Sequence, residues 1–207
     1  MTKQSKKHVG LYFGSFNPVH IGHIQLAEYV VEQKLVDEVW FVVSPCNPFK
    51  NPSEQLEEYI RLDMLMLAIS GKAKLKASDV EFGLPIPSYT VDTLKVLTTE
   101  NPDYEFSLIM GSDNALAIEQ WKNYTEILEN YSLLVYPRQG SDASTVIGKF
   151  PRMQLLPSPH YNISSTEIRN LILQKKDASQ WLHPEVWEFI VENEIYRSSI
   201  TPETRIG

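Results

Sequence analysis

GSFNPVHIGH, residues 14–23, sets His20 and His23 three positions apart directly behind the apolar run HVGLYF. Gly14 lets the chain turn tightly where a buried strand ends and approach a ligand closely. Pro18 stiffens the turn, and a helix is expected from about Ile21 to Lys34. On that helix the two histidines share one face of the first turn. Gly22 between them removes a side chain where a bulky group would lie against the backbone. A helix N-terminus carries unpaired N–H groups and about half a positive charge, so the chemistry this arrangement fits is anion binding. Two other readings stand beside it. A histidine at a helix start is commonly a cap or a surface residue, and a pair three apart is also how a metal site begins. No further Cys, His or carboxylate cluster at ligand spacing accompanies this pair.

A second stretch, NISSTEIRN at 162–170, has the same character. Ser164 and Glu167 have capping-box spacing, which accounts for a well-capped helix and no more. Ser165, Thr166 and Arg169 need another reason. Arg169 lies four after Ser165 and three after Thr166, so hydroxyls and a guanidinium share one face at a helix mouth. That is a second cradle for a polyphosphate.

Elements that position these groups are legible as short apolar runs alternating with helical segments. Strands are expected at 8–13, 38–44, 75–82, 106–111, 131–137 and 152–157. The helix at 21–34 turns Ile24, Ala27, Val30 and Val31 inward. One at about 54–70 is expected to bury Tyr59, Leu62, Leu65, Met66 and Ile69. SYTVDTLKVLTTE (88–100) reads as a helix with a serine cap near its start. DNALAIEQ, YTEILEN, SSTEIRNLILQ and PEVWEFIVEN are further helices. Alternation of this kind implies crossover units, a mostly parallel doubly wound α/β sheet of Rossmann-like type, and a small C-terminal helical region. Ligands bind such sheets outside the carboxyl ends of the strands. Gly14, Pro45 to Lys50, Gly111 to Asp113, and Arg138 all fall just after expected strands. Residues 1–197 read as one domain and 198–207 as a flexible tail.

A net charge of −7 argues against a chain that coats nucleic acid or an anionic membrane, while leaving room for a small anionic ligand held by a few local cations. The lone cysteine, Cys46, excludes an internal disulfide and a multi-cysteine zinc site, as suits a reducing cytoplasm. No apolar run approaches the roughly 20 residues that span a bilayer. The basic start MTKQSKK is followed by too short an apolar stretch for a signal peptide. The expected location is cytoplasmic.

GSFNPVHIGH resembles the (T/S)xFxPxHxGH signature of the adenylyl- and cytidylyltransferase superfamily, and ISSTEIR resembles its ISSTxxR motif. NPFK, SYTVDTL, GSDNALAIEQW and the closing PEVWEFIVENEIY are similar to landmarks of the bacterial nicotinate-nucleotide adenylyltransferases, from Val9 to about Tyr196. The string HIGH also occurs in class I aminoacyl-tRNA synthetases, which are longer and carry a lysine-rich second motif not found here. Two departures are Asn17, where many members of the superfamily have aspartate, and YPRQG, where relatives often read RPG.

What the resemblance implies is adenylyl transfer from ATP to nicotinate mononucleotide, giving the dinucleotide and pyrophosphate. His20, His23 and Arg169 would be the catalytic contacts. Gly14, Ser15, Phe16, Gly22, Ser165 and Thr166 would join them around ATP, the first three through backbone atoms. Mg²⁺ would be held mainly by substrate phosphates and water, with no dedicated protein cage. Lys50 and Arg138 would meet the acceptor phosphate, Asp113 its ribose, and Trp121 its pyridine ring. Ser88, Tyr89 and Thr90, at a helix start, would receive the nicotinate carboxylate. Rival readings are the same transfer to nicotinamide mononucleotide or phosphopantetheine, and a non-catalytic nucleotide sensor.

Overall fold

The computed structural model describes residues 6–45, 55–159 and 163–197. Strand β1 (Lys7–Gly14) leads to helix α1 (Ile21–Glu32), and β2 (Glu38–Val43) to α2 (Glu58–Ala68). Then come β3 (Leu75–Ser78), α3 (Thr90–Glu100), β4 (Tyr104–Gly111), α4 (Ser112–Leu116) and α5 (Tyr124–Asn130). β5 (Ser132–Tyr136), α6 (Ser144–Ile147), β6 (Met153–Leu155), α7 (Ser165–Leu173) and α8 (Pro184–Glu192) complete the order. The six strands form one sheet, β3-β2-β1-β4-β5-β6, with every pairing parallel. The order reverses between β1 and β4, so the carboxyl ends of these two strands frame the crevice where such sheets bind ligands.

Central β1 is buried on both faces because its alternate residues serve two cores. Val9 and Leu11 join one with Val91, Leu94 and Ile127 of α3 and α5. Tyr12 joins the other with Ala27 and Val30 of α1, Met64 and Leu65 of α2, Ile168 of α7, and Val186 and Ile190 of α8. The helices therefore cover both faces, as the alternating pattern requires.

Four expectations need correcting. The third strand ends at Ser78, and Val80–Gly83 is a 3₁₀ turn. Glu81 causes the departure: its buried carboxylate accepts from Thr93 Oγ1 at 2.8 Å and Ser88 Oγ at 2.9 Å, both off the sheet. Ser88 is consequently not a helix cap; α3 is led in by Tyr89 with no side-chain cap bond. DNALAIEQ is split into α4 and a 3₁₀ turn at Ile118–Gln120. The buried face of α2 is Arg61, Met64, Leu65 and Ala68, while Tyr59 and Met66 are 61% and 49% exposed. Helical spacing was right for α2 but its phase was not, because an arginine occupies an inward position.

At the exit of β1 the backbone leaves the sheet under the ring of Phe16, which sits at φ 45° and is buried. A Cβ on Gly14 would meet that ring at 2.8 Å. Gly14→Ala must displace a packed aromatic, and should cost about 1–3 kcal/mol of unfolding free energy. Urea denaturation measures it; an unchanged midpoint would show that the ring is not held.

Candidate active site

His20 is the residue before α1, in extended conformation (φ −140°, ψ 169°), and His23 lies one turn inside it. Their rings stack, centroids 3.7 Å apart at 30°. The backbone N–H of His20 donates to His23 Nδ1 at 3.2 Å, which in a neutral ring puts the His23 proton on Nε2. Phe16 and Tyr12 pack against His23 at centroid distances of 5.2 and 5.9 Å and fix its orientation from below.

A cleft of about 280 Å³ opens over these rings. Tyr12, His20, Gly22 and His23 form one wall, Tyr136, Arg138 and Gln139 another, and Ile163, Ser164 and Glu167 a third. Thus the exits of β1 and β5 and the starts of α1 and α7 converge on one hollow. Tyr12 Oη donates to Tyr136 Oη at 3.1 Å, and Arg138 reaches Tyr136 Oη and Asp113 Oδ2, each at 3.3 Å. Burial first, then the neighbouring Tyr136, push the Tyr12 hydroxyl well above its ordinary value. Gly111 is required for the Asp113–Arg138 approach, since a Cβ there would strike both side chains.

His20 is 7% exposed, and its Nδ1 has no hydrogen-bond partner. An unpaired buried polar atom costs about 1–3 kcal/mol, a cost that a ligand oxygen or donor in the cleft would remove. Burial, with a smaller contribution from Arg138, lowers the His20 pKa from 6.5 to about 3. The imidazole is therefore neutral at pH 7 before any anion arrives.

The second motif meets the first directly. Ser164 Oγ accepts from the Glu167 N–H, the N-cap half of the expected capping box, while the Glu167 carboxylate takes the Ser164 hydroxyl in place of its backbone N–H. Ser165 Oγ donates to the Pro18 carbonyl at 2.8 Å, and Arg169 Nη1 to the Asn17 carbonyl at 2.8 Å. Arg169 Nη2 lies 3.4 Å from Thr166 Oγ1. Asn17 points its amide oxygen inward, where Tyr196 Oη donates to it at 2.6 Å.

Of the expected site residues, His20, Gly22, His23 and Arg138 line the cleft together. Ser165, Thr166 and Arg169 stand beside it, with Ser165 and Arg169 engaged to the first loop. Gly14, Ser15 and Phe16 lie beneath rather than along it, and the Phe16 ring is part of the core. Ser88 is turned to Glu81, while Tyr89 and Thr90 begin α3. Trp121 is half-buried against the core on the α3 side, and its neighbour Lys122 lies 4.5 Å over the Tyr89 ring and 2.8 Å from Asp92. This brings the Trp121 segment to the start of α3, and the Asp113–Arg138 pair adjoins the histidine cleft. Lys50 and Cys46 lie outside the described residues. Sequence reasoning missed Tyr12 and Tyr136, hidden in apolar strands, Arg61, which no motif marks, and the part played by Tyr196, which closes the PEVWEFIVENEIY landmark.

The cytidylyltransferase-like family model matches residues 11–171, from within β1 into α7. A nicotinic acid mononucleotide adenylyltransferase of Plasmodium falciparum, complexed with NaAD, has the same fold. Its TM-score is 0.80 at 23% identity, covering 92% of this chain and 97% of that one. Probable nicotinate-nucleotide adenylyltransferases of Flavobacterium johnsoniae and Flavobacterium psychrophilum are 44% and 45% identical, each over 91% of this chain and 98% of the relative. The chain belongs to the nicotinate-nucleotide adenylyltransferase family, within the cytidylyltransferase-like nucleotidyltransferases.

The depressed His20 pKa has a stability consequence. Between pH 6.5 and about 3 the unfolded chain binds the His20 proton and the folded chain does not. Stability should therefore fall as pH drops through that window, by up to about 1.4 kcal/mol per unit. Replacing His20 with asparagine should flatten the slope seen in urea titrations at successive pH values. An unchanged slope would contradict a neutral buried imidazole.

Proposed function

We propose that the chain transfers the adenylyl group of ATP to nicotinate mononucleotide, releasing pyrophosphate and forming nicotinate adenine dinucleotide. The observation that carries this reading is the cleft itself. Stacked histidines, an arginine and the start of α7 converge on it at the reversal point of a parallel sheet.

The acceptor phosphate is already ionised near pH 7 and attacks the α-phosphorus without a general base. What remains is to bring two anions together, align them, and stabilise charge developing on the leaving pyrophosphate. His20 and His23 contact the phosphates. The buried Nδ1 of His20 gains a partner, and approach of the anion favours protonating the ring. A guanidinium has five N–H donors, so Arg169 keeps donors for phosphate oxygens while holding the Asn17 carbonyl. Thr166 and Ser165 complete the cradle at the N-terminus of α7.

Donors in the cleft are imidazoles, hydroxyls and a guanidinium, a set that fits phosphate rather than a bare cation. Among the described residues no three His, Cys, Asp or Glu side chains gather at one point. Mg²⁺ carried in with ATP would be held by phosphates and water and would offset their charge. On the acceptor side, Tyr89 and Thr90 offer the N–H groups that begin α3 to the nicotinate carboxylate. Trp121 stacks on the pyridine ring, and Asp113 and Arg138 meet ribose and phosphate. Ser88, whose hydroxyl is committed to Glu81, acts by shaping this turn. The single domain at 1–197 and a cytoplasmic setting complete the reading; no described helix is long and apolar enough to cross a membrane.

Purified protein with Mg·ATP should release pyrophosphate with nicotinate mononucleotide, at a kcat/KM well above that with nicotinamide mononucleotide. Equal values for the two acceptors would overturn the carboxylate assignment. His20→Ala should fold normally and lose roughly 10²–10³ in kcat, as removal of one charge-stabilising donor does. A fully active His20→Ala protein would refute the role given to it.

A further inference from the structure

Arg61 is 0% exposed, on the inward face of α2. Its Nη1 donates to the Ser15 carbonyl at 2.7 Å and the Ser44 carbonyl at 2.9 Å. Its Nη2 donates to the Pro45 carbonyl at 3.0 Å and its Nε to the Leu56 carbonyl at 2.9 Å. One side chain thus joins the turn leaving β1 to the turn leaving β2 and to the approach to α2. Burying a cation is expensive, and an apolar residue of similar volume would fill the space at lower cost. Only a planar guanidinium, however, presents donors in a rigid fork to several carbonyls at once.

The carbonyl of Ser15 is five residues before His20, in the same turn. That carbonyl lies past the end of β1, and Arg61 reaches it from α2. Its position, and with it the direction in which the chain enters α1, is set by donors from elsewhere. We propose that Arg61 is a positioning residue for adenylyl transfer, fixing the β1 exit turn so that His20 and His23 are presented to the phosphates. The proposal rests on the adenylyl-transfer reading above. Arg61 touches no substrate; it acts through the loop, and so through the histidines.

A residue that merely stabilises the fold would change the folded fraction and leave turnover per folded molecule alone. A positioning residue does the opposite. The experiment compares kcat, KM for Mg·ATP and KM for nicotinate mononucleotide in the wild type, Arg61→Met and Arg61→Lys, each normalised to the folded fraction by near-ultraviolet circular dichroism. Arg61→Met should lose roughly 10²-fold in kcat, the scale of a displacement of about 1 Å at a reacting centre. Both KM values should stay within about threefold, since substrate contacts are retained. Arg61→Lys, able to reach fewer of the carbonyls, should fall between and serves alone if the methionine variant does not fold. Added to His20→Ala, Arg61→Met should cost well under the roughly 10²-fold it costs alone, because part of its effect runs through His20. An active wild type whose Arg61 variants keep full kcat per folded molecule, or a double variant showing the full product of both losses, overturns the proposal alone. A wild type that releases no pyrophosphate overturns the adenylyl-transfer reading together with it.

Discussion

The turn that leaves β1 must satisfy its own carbonyl oxygens away from the sheet, and it does so with donors drawn from distant parts of the chain. Gly14 O, at the last residue of β1, takes the Ser44 N–H at 3.0 Å in line with the β1–β2 ladder; past it Ser15 O takes Arg61, Asn17 O takes Arg169, and Pro18 O takes Ser165. The side chain of Asn17 is held in turn by Tyr196. Buried backbone oxygens left unpaired are costly, so these bonds are obligatory. β2, α2, α7 and the segment after α8 are therefore tied to one short loop, and that loop carries the histidines into the cleft.

This constraint explains how a catalytic surface can rest on a loop. Loops are mobile where few bonds and apolar contacts hold them. Here the reverse holds: Phe16 packs edge to face on Tyr12 and Phe41, which are themselves tilted at 37°, at centroid distances of 5.4–5.6 Å under the turn, while the carbonyls are gripped from above. Arg169 and Ser165 do two things at once. They knit the second nucleotide motif to the first, and in the proposed function they also hold phosphates, which would couple ligand binding to loop position through the same side chains. The neutral state of His20 belongs to the same economy. In the proposed function this buried, neutral imidazole takes its remaining partner from the bound anion.

The fold was legible because its signals are periodic. Apolar runs and helical spacing gave all six strands and the order of the main helices. They failed where one polar residue goes inward. Glu81 draws its segment off the sheet toward Thr93, and Arg61 shifts the phase of α2, since the pattern Arg61, Met64, Leu65, Ala68 conceals its periodicity behind a charge. The phosphate motifs were legible because spacing alone places His20 with His23 and Thr166 with Arg169 on single faces. What spacing does not contain is partnership across the chain. Nothing near Asn17 announces Tyr196, 179 positions away, and nothing near Ser15 announces Arg61, 46 positions away. The side chain at the Asn17 departure faces inward, where its amide oxygen accepts from a buried hydroxyl, a role an aspartate would fill as well.

The central claim is that the gripped turn presents both histidines as phosphate ligands. A crystal structure with a non-hydrolysable ATP analogue and Mg²⁺ tests it most directly. Phosphate oxygens should lie about 2.7–3.2 Å from ring nitrogens of His20 and His23, with the Arg61, Arg169 and Ser165 bonds to the turn retained. Phosphates bound elsewhere, with the two rings still stacked and their nitrogens unengaged, would contradict it.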